Sequence, residues 1–586
     1  MQREQLDLCG TWECLPDAGG EGESAGYHRP DFPSTAWTTA RLPAGFEHCL
    51  PGQSHFTGAM WFRRRWTVPA HWDGRRVELT FQGVYARATV WMDGALLGEY
   101  ADGFLPFSFN LTGRVRPGCE HTLTVRVDNR PLPEAVPGIR TGWWPVGGIL
   151  REVGITASDQ LHLARLETVA VPHPKGGELR LHVTVRNKSD RPCGVRMTVG
   201  IHQTVVDLGE RIVAAGEETL YARTILVPGA IAWSPASPHL YPVKTILLVD
   251  GQETDQLSQR VGFREVQTRE GRLFLNGEPL FLTGFNYHED SPRTAMAPDA
   301  DLRRRDLEGM KAAGANFVRL AHYPHHPATL DLCDELGLLA LAEIPLFQWQ
   351  WTGTIVTEEH VPGVVAAAER QLRAMIARDR HHPSVIMWSV SNECAEHRPE
   401  VATAIDNLIG IVKTLDPNRF AVHVSNHWRK HPHFSQDDVI CINHYPSWWP
   451  RMQPDGLTYD LTRSTDNWRQ SLQELHELYP GKPIVVTEFG YPCFPGVPGG
   501  SLGEQTQAAV IEKEFPGINQ PFLSGMALWC WADHDWSFRD RGSLGTITIS
   551  PFGVLTRDRR PKAALATISR LYQARIQVDC KRGHLP

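Results

Sequence analysis

No stretch of the sequence approaches ~18 uninterrupted apolar residues, so no membrane span is expected. The first seven residues, Met1 to Asp7, are charged and lack the apolar centre of a secretory leader, which points to a cytoplasmic protein. A leader removed before the recorded start would leave the same sequence. Long runs of one charge sign are missing too. The net charge of −7 is spread over 59 basic and 66 acidic residues, without the basic stripe of a nucleic-acid binder. The 11 cysteines form no Cys-x-x-Cys pair and no zinc-ligand spacing. They read as reduced core residues, as at Cys441 and Cys530 inside apolar runs, so neither a disulfide framework nor a metal or other cofactor is expected. No fixed-period repeat is visible. The composition is compatible with a monomer or a homo-oligomer.

What the chain does contain is 41% apolar residues and 19 tryptophans, enough for several sizeable cores. Helical periodicity is nearly absent before residue 266. In residues 1–156, Val77, Leu79 and Phe81 alternate with polar neighbours, as do Ala86, Ala88, Val90 and Met92. The second series closes on Asp93-Gly94, a hairpin signal. A jelly-roll β-sandwich is expected there. Residues 157–266 alternate again (Leu179 to Val185, Val195 to Ile201) over a length that suits an immunoglobulin-like β-sandwich, with Trp233-Ser234-Pro235 to Tyr241 as an edge or turn.

From residue 267 to 586 short apolar strands alternate with helical stretches, the pattern of a (β/α)8 TIM barrel. Eight strands should end near Tyr287, Tyr323, Pro345, Glu393, Asn426, Tyr445, Glu488 and Ala532. Helices are expected over Asp299 to Ala313, Ala328 to Leu336, Val361 to Arg378 and Glu400 to Leu415, with Gly314 and Gly337 as C-terminal stops.

The fourth and seventh strands each finish on a glutamate, Glu393 and Glu488. A carboxylate at the carboxyl end of a buried strand is costly unless it is used, and two across one barrel are the minimum for glycosidic bond cleavage. Other strand ends supply Asn286, His288, Arg319, His322, Glu343, Asn392, Asn426, His427, Asn443, Tyr445, Trp448 and Trp529. That is the make-up of a sugar site: amides and histidines for hydroxyls, indoles for ring faces. Arg319 sits in the apolar run Asn316 to Leu320 and needs a buried anion. Paired with Glu488 it would hold that carboxylate ionised, leaving Glu393 with the raised pKa of an acid. Glu343 reads as a support, and His381-His382 as part of the turn before Pro383.

These motifs resemble glycoside hydrolase family 2, the β-galactosidase, β-glucuronidase and β-mannosidase group, along nearly the whole chain. Trp61 to Arg64, Phe81 to Val84, Val90 to Gly94 and Gly147 to Arg151 resemble its jelly-roll; Trp233 to Pro235 and Gly262 to Arg264, its immunoglobulin-like domain. Gly284 to Glu289, Arg319 to Pro324, Ser391 to Glu393 and Thr487 to Gly490 resemble the barrel signatures. The resemblance implies a retaining double displacement with Glu488 as nucleophile and Glu393 as acid/base. It implies Asn392 on the sugar 2-hydroxyl, Tyr445 beside the nucleophile, Trp529 lining the innermost subsite, and His288 and His322 as hydroxyl-binding histidines of the β-galactosidase branch. Three departures bear on specificity. Glucuronidases carry Asn-x-Lys before a stretch matching Gly553 to Arg559, where this chain has Ser550 and Phe552, so a uronate would need another cation, Arg539 or Arg541. The aspartate expected at position 142 is Gly142. The histidine three residues after the nucleophile is Tyr491. The leading expectation is an exo-acting, β-galactosidase-like retaining β-glycosidase acting on β-linked oligosaccharides or glycosides. The alternatives are a β-glucuronidase or β-galacturonidase with a non-standard carboxylate site, and a non-catalytic carbohydrate-binding protein.

Overall fold

A computed structural model describes residues 3–50, 55–350, 356–430, 432–448, 461–536 and 548–581. Arg539 and Arg541 lie outside them. The amino-terminal part is a β-sandwich. Its six-stranded sheet runs in the order 38–42, 10–17, 59–67, 120–128, 87–92, 95–100, and its four-stranded sheet in the order 4–7, 153–158, 76–81, 107–110. The Asp93-Gly94 turn joins antiparallel partners, with Met92 opposite Ala95. The alternating apolar residues Val77, Leu79, Phe81, Ala88 and Val90 all enter one core. A second sandwich follows, with sheets of three strands (161–173, 176–187, 218–228) and four strands (204–213, 193–201, 241–249, 252–261).

Residues 266–280 form a three-stranded antiparallel sheet that precedes the barrel. The barrel itself is a closed ring of eight parallel strands: Leu282–Tyr287, Phe317–Leu320, Leu339–Glu343, Val385–Asn392, Phe420–Ser425, Ile440–Asn443, Ile484–Phe489 and Leu523–Leu528. Each lies where the sequence pattern puts a strand. The second, third, sixth and eighth stop three, two, two and four residues short of the expected ends, because Tyr323, Pro345, Tyr445 and Ala532 belong to the loops that follow. Helices Ala300–Ala312, Pro327–Leu336, Val361–Asp379 and Pro399–Leu415 match the helical runs. Asp299 caps the first by accepting from the Leu302 N–H, and Gly337 ends the second in the left-handed region (φ 70°).

Period-two alternation decides what the barrel interior holds. In the second strand Val318 and Leu320 face the helices while Phe317 and Arg319 face inward. In the third, Leu339, Leu341 and Glu343 face inward and Ala340 and Ala342 outward. The lower interior is apolar: Leu282, Phe317, Leu339, Leu341, Met387, Val422, Val424, Cys441, Val485 and Ala527 pack with Leu273, Leu275 and Leu280 of the preceding sheet and with Trp233 of the second sandwich. The leucines of the 266–280 sheet thus pack beneath the barrel interior, and the Trp233 indole donates to the Asp334 carbonyl at 2.9 Å. Polar side chains are left at the strand carboxyl ends, where TIM barrels carry their sites.

No helix among the described residues is long and apolar enough to cross a membrane.

Candidate active site

Glu488 and Glu393 open onto one cavity of about 140 Å³ at the top of the barrel. Glu488, in the seventh strand, accepts from Arg319 Nη1 at 2.5 Å on Oε1 and from the Tyr445 hydroxyl at 2.6 Å on Oε2. Glu393 follows the fourth strand in the left-handed region (φ 51°). Its Oε1 accepts from Asn443 Nδ2 and its Oε2 from Gln348 Nε2, each at 2.8 Å. The two carboxyls are joined through hydrogen-bonded side chains: Asn443 also donates to Asn392 Oδ1 at 3.1 Å, and that oxygen accepts from Arg319 Nη2 at 2.7 Å.

Arg319 is fully buried and is the electrostatic centre. Besides Glu488 and Asn392 it donates to both oxygens of Glu343, at 3.1 and 2.9 Å, and to Asn286 Oδ1 at 3.1 Å. Burial raises the Glu343 carboxyl, but the Arg319 charge and the His322 hydrogen bond outweigh it and hold Glu343 below the ordinary range. Burial lowers His322 to about 4, so its ring is neutral near pH 7. The 2.8 Å contact between His322 Nδ1 and Glu343 Oε1 assigns the proton to Nδ1, since the carboxylate can only accept. His322 Nε2 then faces the Glu488 side, 4.0 Å from Oε1, as an acceptor for a hydroxyl.

Burial pushes both cavity glutamates upward, Glu488 to about 7. Part of the rise in Glu488 comes from the negative charge of Glu393, and that part vanishes when Glu393 holds a proton. Glu488 has a guanidinium and a hydroxyl as donors; Glu393 has two neutral amides. With one proton between them, the charge rests on Glu488 and the proton on Glu393.

The walls are aromatic. His322 stacks between Trp529 and Trp143, with centroids 5.0 and 5.9 Å away. Tyr445, Trp448 and Phe552 form a second cluster, with Phe552 6.0 Å from each of the other two. Seven of the fourteen strand-end residues singled out by sequence line the cavity: Glu393, Glu488, Asn392, His322, Tyr445, Trp448 and Trp529. The other strand-end residues, Arg319, Asn443 and His288 among them, are not in the lining. Arg319 and Asn443 stand behind the carboxylates. His288 lies under His322 and Trp529, stacked on His534 at 4.2 Å, with Nδ1 3.2 Å from the Tyr323 hydroxyl. Asn426 and His427, which follow the fifth strand, are also outside the lining.

Residues not singled out complete it. Gln348 and Phe347 come from the loop after the third strand; Arg140 comes from the first sandwich, and Trp536 from the loop after the eighth strand. Gly142 also lines the cavity. A Cβ there would stand 2.9 Å from Phe347 Cζ, so the phenyl ring occupies the space beside it. Ser550 and Phe552 do face the cavity, as their alignment with the Asn-x-Lys motif implies. The Thr556 to Arg559 stretch instead clamps the last loop to the start of the barrel: Arg557 pairs with Asp290 at 2.7 and 2.8 Å, and Arg559 with Asp306 at 3.0 Å. Among the described residues, Asp331, Asp334 and His382 could share a metal ion. They lie at the opposite end of the barrel, where Arg260 pairs with Asp331, and His382 and the Ser384 N–H engage Asp334.

Comparison with known proteins places the whole arrangement. Residues 266–577 match the TIM barrel domain of glycosyl hydrolases family 2, residues 161–264 match the description glycosyl hydrolases family 2, and residues 53–136 match the glycosyl hydrolase 2 galactose-binding domain-like description. A β-glucuronidase of Paenibacillus borealis is 26% identical over 595 residues, covering 96% of each chain. The β-glucuronidase of Homo sapiens is 25% identical over 626 residues, covering 97% of this chain and 91% of that one. A crystal structure of a GH2 β-galacturonidase from Eisenbergiella tayi bound to glycerol superposes with a TM-score of 0.85 at 25% identity, over 98% of this chain and 96% of that one.

Proposed function

The chain belongs to glycosyl hydrolases family 2 and is an O-glycosidase, and from that premise we propose an exo-acting retaining β-glycosidase that removes a terminal hexuronate, β-glucuronate or β-galacturonate. The observation that carries the chemistry is the shared cavity: an Arg319-held carboxylate and an amide-held carboxyl opening on the same small space. Glu488 attacks the anomeric carbon while Glu393 gives its proton to the leaving oxygen. Water then enters, Glu393 takes its proton, and the covalent glycosyl–Glu488 bond breaks with retention. Asn392 and His322 are placed to take hydroxyls, and Trp529 and Trp448 to flank the ring.

The relatives support the uronidase alternative over the β-galactosidase-like expectation, because full-length similarity runs to β-glucuronidases and a β-galacturonidase. A uronate carboxylate must then meet a cation or strong donors. Phe552 offers neither. Arg140 is the arginine in the cavity wall among the described residues, and we assign it that role. Comparing kcat/KM for 4-nitrophenyl β-D-glucuronide and β-D-galacturonide with the matching glucoside and galactoside tests the specificity. Arg140→Leu should cost the uronides about tenfold more than the neutral sugars, since a charge-assisted contact is ~1.5–3 kcal/mol, while the loss of the Arg140 charge from beside Glu393 shifts the pH profile of both alike. A second reading, a neutral terminal sugar, is favoured by the apolar Phe552 and by Gly142. Faster turnover of neutral glycosides, with no selective loss on uronides in Arg140→Leu, would establish it instead.

A further inference from the structure

Glu393 has an environment that its strand position does not account for. The loop after the third barrel strand is laced onto the end of the fourth. The Asn392 N–H donates to the Leu346 carbonyl at 2.9 Å, the Gln348 N–H to the Asn392 carbonyl at 2.8 Å, and the Ala395 N–H to the Trp349 carbonyl at 3.0 Å. Within this lacing Gln348 and Glu393 both take left-handed backbone conformations, φ 44° and 51°, which residues with a Cβ seldom adopt. Two such conformations, one on each side of the Gln348 Nε2 to Glu393 Oε2 hydrogen bond, mark a contact that the fold maintains against local preference. Both residues line the cavity.

We propose that Gln348 is a positioning residue for the acid/base: its amide fixes the Glu393 carboxyl toward the leaving-group oxygen and sets how tightly that carboxyl holds its proton. This rests on the retaining-glycosidase reading. The chemistry follows from the donor set. Burial holds the proton on the Glu393 carboxyl more firmly than release in the first step allows, and the charges of Arg319 and Arg140 offset only part of that. An N–H donated to each oxygen, from Gln348 and from Asn443, favours the ionised form and offsets part of the burial. Each oxygen keeps a second lone pair for the transferred proton. Asn443 also serves Asn392 and accepts from the Thr487 hydroxyl at 2.9 Å, so its removal disturbs two residues.

The experiment compares wild type with Gln348→Leu and Gln348→Gly on a dinitrophenyl β-glycoside and an alkyl β-glycoside of whichever sugar the wild type cleaves. Glycine takes a positive φ without strain, so Gln348→Gly deletes the amide while relieving the backbone. A loss seen in both variants is therefore not a folding defect. Both should move the alkaline limb of kcat/KM upward by about one pH unit, the shift expected when a buried carboxylate loses one donor. Both should lose about tenfold on the alkyl glycoside and little on the dinitrophenyl one, which departs without an acid. An unmoved alkaline limb, or equal losses on the two substrates, would overturn the assignment. Failure of the wild type to cleave any β-glycoside would sink the glycosidase reading itself, before any variant is compared.

Discussion

Replacing Arg319 by methionine removes one buried cation from between two buried carboxylates. The arginine side chain is 0% exposed, and those of Glu343 and Glu488 are 0% and 6% exposed. Water therefore cannot take over the lost interactions. Breaking a buried pair by deleting one partner costs about 3–5 kcal/mol because the other charge is stranded. Here two carboxylates lose their cation and protonation of Glu488 relieves part of the cost, so a value near the middle of that range is expected. At ~4 kcal/mol and ~2 °C per kcal/mol for a unit of this size, the barrel transition in differential scanning calorimetry should fall by about 8 °C. Adding Glu343→Gln removes one stranded charge and should recover about half of that drop. It should not recover activity, because Glu488 still lacks its cation. In the single variant, Glu488 loses the charge that opposes burial, so its pKa climbs beyond about 7. The acid limb of kcat/KM, set by protonation of the nucleophile, should then move to higher pH. A variant as stable as wild type would refute the account of the buried triad. An unmoved acid limb would refute the account of the nucleophile.

Glu393→Ala should slow substrates with poor leaving groups by ~10²–10⁴-fold, the usual worth of general acid catalysis, and spare glycosylation by activated ones; equal losses on both would remove Glu393 from the acid role. Glu488→Gln should abolish turnover of both, and an unchanged rate on any aryl β-glycoside contradicts the nucleophile assignment. Glu514, wholly buried in the helix Glu504–Ile518 and accepting from the Ser447 hydroxyl, has its carboxyl pushed up by burial to about 7 from 4.5. Folding therefore favours the protonated form. The stability this lends is complete below pH 4.5 and is lost as pH rises through about 7, by roughly 3 kcal/mol in all. Glu514→Gln should flatten that decline, and denaturant midpoints at pH 5 and pH 8 that fall as steeply in the variant as in wild type would contradict it.

Period-two alternation made the barrel readable, and with it Arg319: a guanidinium two residues from Phe317 on the inward side of an apolar strand must meet an anion inside the barrel. Glu393 and Glu488 were legible for the same reason. Position at a strand end does not reveal depth, however. His288 and His322 both follow barrel strands, yet only His322 reaches the cavity. The Trp143 ring from the first sandwich closes over the pair and, with His534 beneath, leaves His288 one layer back. Gln348, Phe347 and Arg140 were not legible. They sit on loops with no periodicity to read, and Arg140 reaches the site only because residues 139–147 pack on the barrel. There the Trp144 N–H donates to the Asp535 carbonyl and the Trp144 indole to Glu47.

The loop that carries Ser550 and Phe552 shows why a family signature and a substrate preference can part company. Its Gly553 to Arg559 half matches the β-glucuronidase pattern, and the structure gives that match a mechanical cause. The Gly553 N–H donates to Asp533 at 2.8 Å, and a Cβ on that glycine would lie 2.2 Å from the Asp533 backbone nitrogen. Arg557 and Arg559 tie the same segment to Asp290 and Asp306. Lys562, buried beneath, pairs with Asp533 at 2.7 Å. These contacts hold the loop against the first strand whatever sugar is bound. Only the two side chains upstream reach the cavity, and nothing in the clamp constrains them, so a lysine can give way to Phe552 with the loop unmoved. On the proposed uronidase reading, charge recognition passes to another wall, and the candidate is Arg140 of the first sandwich, beside Gly142, with Phe347 filling the space that a side chain at position 142 would need. On this argument Arg140→Leu and a change at Phe552 should act independently on stability and jointly on uronide selectivity. A double-mutant cycle that shows additive effects on kcat/KM would mean that the two walls read different parts of the substrate.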